Sequence, residues 1–170
     1  LLDNFGSLEN KGFELVVTAM PVKKKDFTWE ITGIYNQNRN KAVSIGQALT
    51  LLSTNAGAPV AIIEGQPIGV FYGTFFARDN NGAQLKNASG IPTIEAGTQN
   101  SVLSYTPGRN PTTGLPTGST LRRIIGDPNP LFTASLTNEF TYKKFSLRLQ
   151  IDAVRGGNVF NADFRTQIGR

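Results

Sequence analysis

The chain has 170 residues, 39% of them hydrophobic and only 17% charged, with a formal net charge of +5. That length allows one ordinary domain, and the low charge argues against intrinsic disorder. Cys and His are both absent, which excludes disulfide frameworks, Cys-based zinc sites, thiol nucleophiles and Ser–His machinery.

The first predicted element is Phe13–Met20, where Phe13, Leu15, Val17 and Ala19 alternate with Glu14, Val16, Thr18 and Met20. The second, Phe27–Asn36, sets Phe27, Trp29, Ile31, Gly33 and Tyr35 against Thr28, Glu30, Thr32, Ile34 and Asn36. A period of two places such sets on opposite faces of a β-strand, and β-branched and aromatic residues favour that state. The third, Leu131–Thr141, alternates Phe132, Ala134, Leu136, Asn138 and Phe140 with Leu131, Thr133, Ser135, Thr137 and Glu139. The clearest is Phe145–Ala153: Phe145, Leu147, Leu149, Ile151 and Ala153 on one face, Ser146, Arg148, Gln150 and Asp152 on the other. The expected strands are thus about 13–20, 27–36, 131–141 and 145–154. Short links, Pro21–Asp26 and Tyr142–Lys144, make two antiparallel hairpins of them.

Between the hairpins, residues 37–130 have a different texture, rich in Pro and Gly. Turn signals stand at Asn80-Asn81-Gly82, Thr106-Pro107-Gly108, Pro111 to Gly118 and Asp127-Pro128-Asn129-Pro130. Ile68–Ala77 reads as a hairpin arm ending at Asn80-Asn81-Gly82, and Ala42–Leu52 as either strand continuation or a short helix. A loop of this length is unusual in a compact soluble domain unless it is functional. Short turns at one end and a long loop at the other suit an outer-membrane β-barrel, whose strands alternate apolar outside and polar inside. Phe27, Trp29, Phe140, Tyr142 and Phe145 gather at the short-turn end, as an interfacial aromatic girdle does. Asn138 on the apolar face is discordant, though it lies in the lower half of its strand, where a polar side chain costs less than at the midplane. The expected fold class is all-β: antiparallel strands of a transmembrane β-barrel, partial with about four strands, and one long extracellular loop. A soluble β-sandwich or adhesin-like module binding glycan or protein through its loops is the alternative.

Six segments, in order, resemble one family. Asn10-Lys11-Gly12-Phe13-Glu14-Leu15 resembles the strand entry of TonB-dependent outer-membrane receptors. Asp26-Phe27-Thr28-Trp29 followed by Asn36-Gln37-Asn38-Arg39-Asn40-Lys41 resembles the upward strand of their SusC/RagA branch. Glu64 to Gly73, Ile125 to Pro130, Asn138 to Lys143 and Gly156 to Asn161 continue that branch's order. The resemblance implies active uptake of oligosaccharide or peptide across the outer membrane of a Bacteroidota-type bacterium. It further implies a SusD-like surface lipoprotein, surrounding outer-membrane lipid, and energy from the TonB complex through a plug. None of the plug is expected within 1–170, which reads as an excerpt of the barrel's later half. Gly118 to Ile124 stands where many members carry a calcium-loop-like stretch, so no metal is expected there.

Glu30, Arg148 and Asp152 are the candidates for the lumen face, either as a wall against plug or substrate or as simply solvated residues. An Arg facing lipid costs about 2–4 kcal/mol at the midplane, so Arg148 tests the face assignment. Phe71, Tyr72, Phe75 and Phe76 could stack on sugar or peptide, or form the loop's own core. Asp79-Asn80-Asn81-Gly82 lacks the spaced acidic ligands of a calcium loop and reads as a turn. The basic clusters at Lys23–Lys25, Arg122–Arg123 and Lys143–Lys144 form no aromatic-interleaved stripe, so no nucleic acid is expected. No catalytic residue, cofactor or metal site is expected, and no enzyme.

Overall fold

The computed structural model of the chain describes residues 6–52, 59–161 and 163. Its elements are all strands: β1 (Ser7–Lys23), β2 (Phe27–Ser44), β3 (Leu49–Leu51), β4 (Val60–Ile63), β5 (Val70–Gly73), β6 (Ala96–Gln99), β7 (Tyr105–Pro107), β8 (Ser119–Thr120), β9 (Arg123–Gly126), β10 (Pro130–Tyr142) and β11 (Phe145–Gly156). The all-β, antiparallel class is as expected. The chain divides into two compact units, one of Glu9–Asn40 with Asn129–Gly157, the other centred on Lys41–Pro128.

The first unit is built on a four-stranded sheet of order β1-β2-β10-β11. Its register settles the faces. Trp29, Phe140 and Leu147 fall in one row, Ile31, Asn138 and Leu149 in the next, then Gly33, Leu136 and Ile151. Phe27, Tyr142 and Phe145 close the short-turn end. The apolar sets of β2, β10 and β11 therefore share one face, with Trp29 stacked on Phe140 at 5.8 Å and Tyr35 on Phe132 at 5.3 Å between ring centroids. Among the described residues nothing covers that face: Leu147 is 55% exposed and Ile151 66%. Asn138 is no longer discordant, because its Oδ1 accepts a hydrogen bond from the Trp29 indole Nε1 at 3.2 Å. The bond pairs the indole N–H with the amide oxygen within an apolar surface, where an unpaired polar group is costly.

The strands differ from the expected ones at their ends. β1 begins at Ser7 and passes through Pro21 to Lys23, so the first turn is only Lys24–Asp26, tied by Lys24 N to Phe27 O at 2.8 Å. Pro21 stands two residues from the turn end of β1. The second turn is Lys143–Lys144, with Lys143 at φ 53° and its N–H bonded to Asp26 O. β2 continues to Ser44, so Ala42–Leu52 is strand continuation followed by β3, not helix.

The long loop expected over residues 37–130 carries strands of its own. The unit centred on Lys41–Pro128 holds one sheet of order β3-β4-β5-β9 and another of order β7-β6-β8. Its core is Ala61, Ile63, Val70 and Tyr72, backed by Leu49, Val102 and Ile124. Between β5 and β6, two turns follow one pattern. Asp79 Oδ1 accepts the N–H groups of Asn81 and Ala83, and Asn87 Oδ1 those of Ser89 and Ile91. Leu85 N bonds Ala77 O, Thr93 N bonds Leu85 O, and Ala77 N bonds Thr93 O, a closed ring of three backbone bonds at 2.8–2.9 Å. The arm expected at Ile68–Ala77 is thus real at its Asn80–Gly82 tip, though β5 itself pairs with β4 and β9. In the three-stranded sheet Gly97 and Gly118 meet backbone to backbone; a Cβ on Gly118 would lie 2.9 Å from Gly97 Cα. Only glycine permits that approach at φ 108°.

Candidate functional site

The polar face of the four-stranded sheet carries the lumen candidates. Alternation places Thr28, Glu30, Thr32, Ile34 and Asn36 of β2 there, beside Thr141, Glu139, Thr137, Ser135 and Thr133 of β10. β11 adds Ser146, Arg148, Gln150 and Asp152. Glu30, Glu139 and Arg148 form one row, so the guanidinium stands on the far side of two opposed carboxylates. Like charges directly opposite destabilise a sheet and an adjacent cation offsets them. Asp152 accepts both bonds from Gln150 Nε2, at 3.0 and 3.1 Å, in the row of Ser135. On the β1 side Thr18 and Thr32 hydroxyls pair at 3.1 Å. Arg148 lies opposite in facing to Leu147 and Leu149.

Above the Asn36–Thr133 pair the ladder between β2 and β10 stops. Side chains bridge the gap: Gln37 Nε2 to Leu131 O at 3.4 Å, Arg39 Nη1 to Pro130 O at 3.3 Å, and Asn40 Nδ2 to Asn129 Oδ1 at 2.9 Å. A cleft of about 220 Å³ opens there, lined by Asn36, Asn38, Asn40, Asn129, Pro130, Phe132 and Thr133. The signal for it is in the sequence, three Asn at alternate positions of a strand, but the strand expected there ended at Asn36.

In the second unit the four aromatic candidates separate. Phe71 and Tyr72 are buried, 8% and 5% exposed. Phe71 packs 6.1 Å from the Phe160 ring. The Tyr72 hydroxyl donates to Val102 O at 3.0 Å. Burial pushes its pKa up, with the Arg122 charge opposing. Phe76 is 46% exposed and bridges to Ile94. Phe75 lies 5.3 Å from Tyr105 and carries the Arg123 guanidinium 4.0 Å above its ring. Tyr105 and Arg123 were not foreseen, because they stand 30 and 48 residues further along the chain.

Nor was the pair Glu95–Arg109. Glu95 is 5% exposed, and Arg109 holds it bidentately, Nη1 to Oε1 and Nη2 to Oε2, the latter at 2.8 Å. The hydrogen bond to Glu95, reinforced by its charge, raises the Arg109 pKa against the desolvation that lowers it. A wider groove of about 520 Å³ lies between Ser44–Ala48, Ile63–Glu64 and Ser101–Leu103. Among the described residues no cluster of three acidic residues is placed to hold a metal.

A sheet with one continuous apolar face, one polar face and two unpaired edges is the form of a segment of β-barrel wall, and the barrel is not closed within this chain. No protein-family model matches the chain. TonB-dependent receptor P3 of Formosa agariphila is 28% identical over 166 residues, 94% of this chain and 16% of that receptor. TonB-dependent receptor P26 of the same organism is 25% identical over 96% of this chain and 16% of its own length. Among solved structures, the RagAB peptide importer in its open-open state has a TM-score of 0.60 at 19% identity, covering 89% of this chain and 15% of that one. Its closed-closed state gives 0.57 at 18%, over 89% and 16%. The resemblance to a SusC/RagA-like TonB-dependent receptor is therefore borne out: sequence relatives carry that receptor name and RagAB structures share the fold. The chain spans about 16% of the length of the curated relatives it matches.

Proposed function

We propose that the chain forms part of the wall and one large extracellular loop of an outer-membrane transporter of the SusC/RagA type. The carrying observation is the register of β2, β10 and β11, which gathers the predominantly apolar sets on one face and the predominantly polar sets on the other. On this reading the apolar face meets lipid, and the aromatic rows beginning at Phe27–Tyr142–Phe145 and Trp29–Phe140 lie at the periplasmic interface. The lysines of both short turns stay in water. Glu30, Arg148 and Asp152 line the lumen. Residues 41–128 form the outward loop, in which Phe71 and Tyr72 are structural, Phe75 is engaged by Tyr105 and Arg123, and Phe76 remains available to a ligand or a partner. The domain is thus a partial receptor barrel, its plug outside 1–170, and it is not an enzyme. The substrate is oligosaccharide or peptide, captured with a SusD-like lipoprotein and driven by the TonB complex. The RagAB importer is named for peptide, which favours that class.

The test is uptake by cells deleted for the intact receptor. Loss of uptake of at least one oligopeptide or oligosaccharide, reproduced by removing TonB, is the expected result. Unchanged uptake of every class would refute the reading.

A further inference from the structure

We infer that Asn36, Asn38 and Asn40, completed by Asn129 and Thr133, form a ladder that binds the backbone of an extended peptide. This rests on the transport reading, in which the polar face of β2 lines the lumen.

Composition along that face changes abruptly. From the short turn upward β2 presents Thr28, Glu30, Thr32 and Ile34, then Asn36, Asn38 and Asn40. Solvating the face needs nothing beyond the Thr already used below, and Thr favours strands whereas Asn disfavours them. Three successive residues against propensity on one face, at the row where the ladder to β10 ends, call for a role other than folding.

The structure supplies the room. The amides line the 220 Å³ cleft, and the Asn40–Asn129 bond fixes its far end. Among the described residues the side-chain amides of Asn36 and Asn38 make no hydrogen bond within the chain, and the charged Arg39 at the same gap lies outside the cleft lining and is engaged by Pro130 O. A ligand recognised here is polar and neutral at the point of contact.

Spacing selects the class. Alternate residues of a strand lie about 6.7 Å apart, twice the rise of about 3.3 Å per residue. An extended peptide repeats its outward-facing amides at that same interval, so one Asn can meet one peptide group in every two. Each carboxamide offers an acceptor and a donor together and can pair reciprocally with a peptide C=O and N–H. Recognition of this kind reads backbone and ignores side chains, which suits uptake of mixed peptides. A glycan's repeat is fixed by ring and linkage, and nothing in β2 sets it.

The test uses the intact receptor in detergent and three calorimetric probes: a capped neutral dodecapeptide of Ala, Ser and Gly, the same peptide N-methylated at alternate residues, and a neutral oligosaccharide of similar mass. The variants are N36A/N38A and, to keep side-chain size, N36D/N38D; thermal unfolding matching wild type shows that the barrel is intact. Wild type is expected to bind the plain peptide about ten-fold or more tighter than either variant. It should also discriminate against the N-methylated peptide, a preference the variants lose. Equal peptide affinity in wild type and both variants, or equal discrimination in all three, overturns the ladder. Binding of the oligosaccharide alone, or of no probe, overturns it too. Deletion phenotypes decide separately whether the transport reading stands.

Discussion

The two units of this chain hold their strands together by opposite means. Glu9–Asn40 with Asn129–Gly157 forms four strands of 12 to 18 residues, yet not one residue in those spans is buried. In the unit centred on Lys41–Pro128 no strand exceeds four residues, apart from the end of β2. It nevertheless contains all nine buried side chains among the described residues, Ala42, Ala61, Ile63, Val70, Phe71, Tyr72, Ala77, Glu95 and Leu121. Long strands with an uncovered apolar face need an apolar surrounding, because water penalises a patch of that size. Short strands in water need a core of their own, each fully buried Ile, Leu or Val contributing about 1.5–3 kcal/mol. On the transporter reading the contrast marks two solvents.

The sharpest way to break that comparison is to reverse one polar–apolar neighbour pair. Ile151→Arg in the intact receptor, one row further from the short turns than Leu149, is expected to cost about 2–4 kcal/mol near the midplane. Gln150→Leu, one residue away on the other face, should cost far less. Heat-modifiable electrophoretic mobility of outer-membrane fractions measures the folded barrel. Equal losses for both substitutions would mean that the faces do not meet different media.

The next effect belongs to the other unit. Arg109→Ala leaves the Glu95 carboxylate buried without its bidentate partner, and is expected to cost about 2–3 kcal/mol. Limited proteolysis should then cut within residues 96–120, while barrel mobility stays at wild type. Loss of mobility instead would show that the sheet depends on the loop core.

How much of this was legible follows from the same contrast. Phe145–Ala153 could be read outright, because one apolar face in period two is all that a wall strand needs. β1 before Phe13 and β2 beyond Asn36 could not, since residues such as Ser7, Glu9, Asn38 and Lys41 are polar on both faces and the periodic signal vanishes. Pairing alone extends those strands. In the loop unit Val70–Gly73 finds Arg123–Gly126 some fifty residues away, and no local pattern announces it. Glu95 gave no sign of burial, and Gly97 and Gly118 looked like ordinary turn residues. Of the cleft, Asn36, Asn38 and Asn40 were in plain view as alternating amides, whereas Asn129 joins them only through the fold.

A smaller effect refines the description of the apolar face. Trp29→Phe removes the donor to Asn138 and should cost about 1–2 kcal/mol, leaving an amide unpaired in an apolar setting. Added to Trp29→Phe, the second substitution Asn138→Leu should restore most of what the first one lost. Denaturant midpoints of the folded receptor in detergent measure this. Additive costs for the two changes would mean that Asn138 is hydrated, and that this row lies outside the apolar medium.

The smallest effect concerns the core of the loop unit. Tyr72→Phe deletes the bond to Val102 O, about 1 kcal/mol at neutral pH. The pH dependence has a definite sign. Burial raises the folded-state pKa above the ordinary 10.0, so the folded unit holds the phenolic proton more tightly than the unfolded chain. The resulting stability is complete below pH 10 and is lost as pH rises through the folded value. Tyr72→Phe is therefore less stable than wild type at neutral pH, and the difference narrows in strong alkali. A tyrosinate absorbance titration, wild type minus variant, should show one group ionising above 10.0. A group ionising at or below that value would mean that water reaches Tyr72, and that the loop unit lacks the closed core which sets it apart from the sheet.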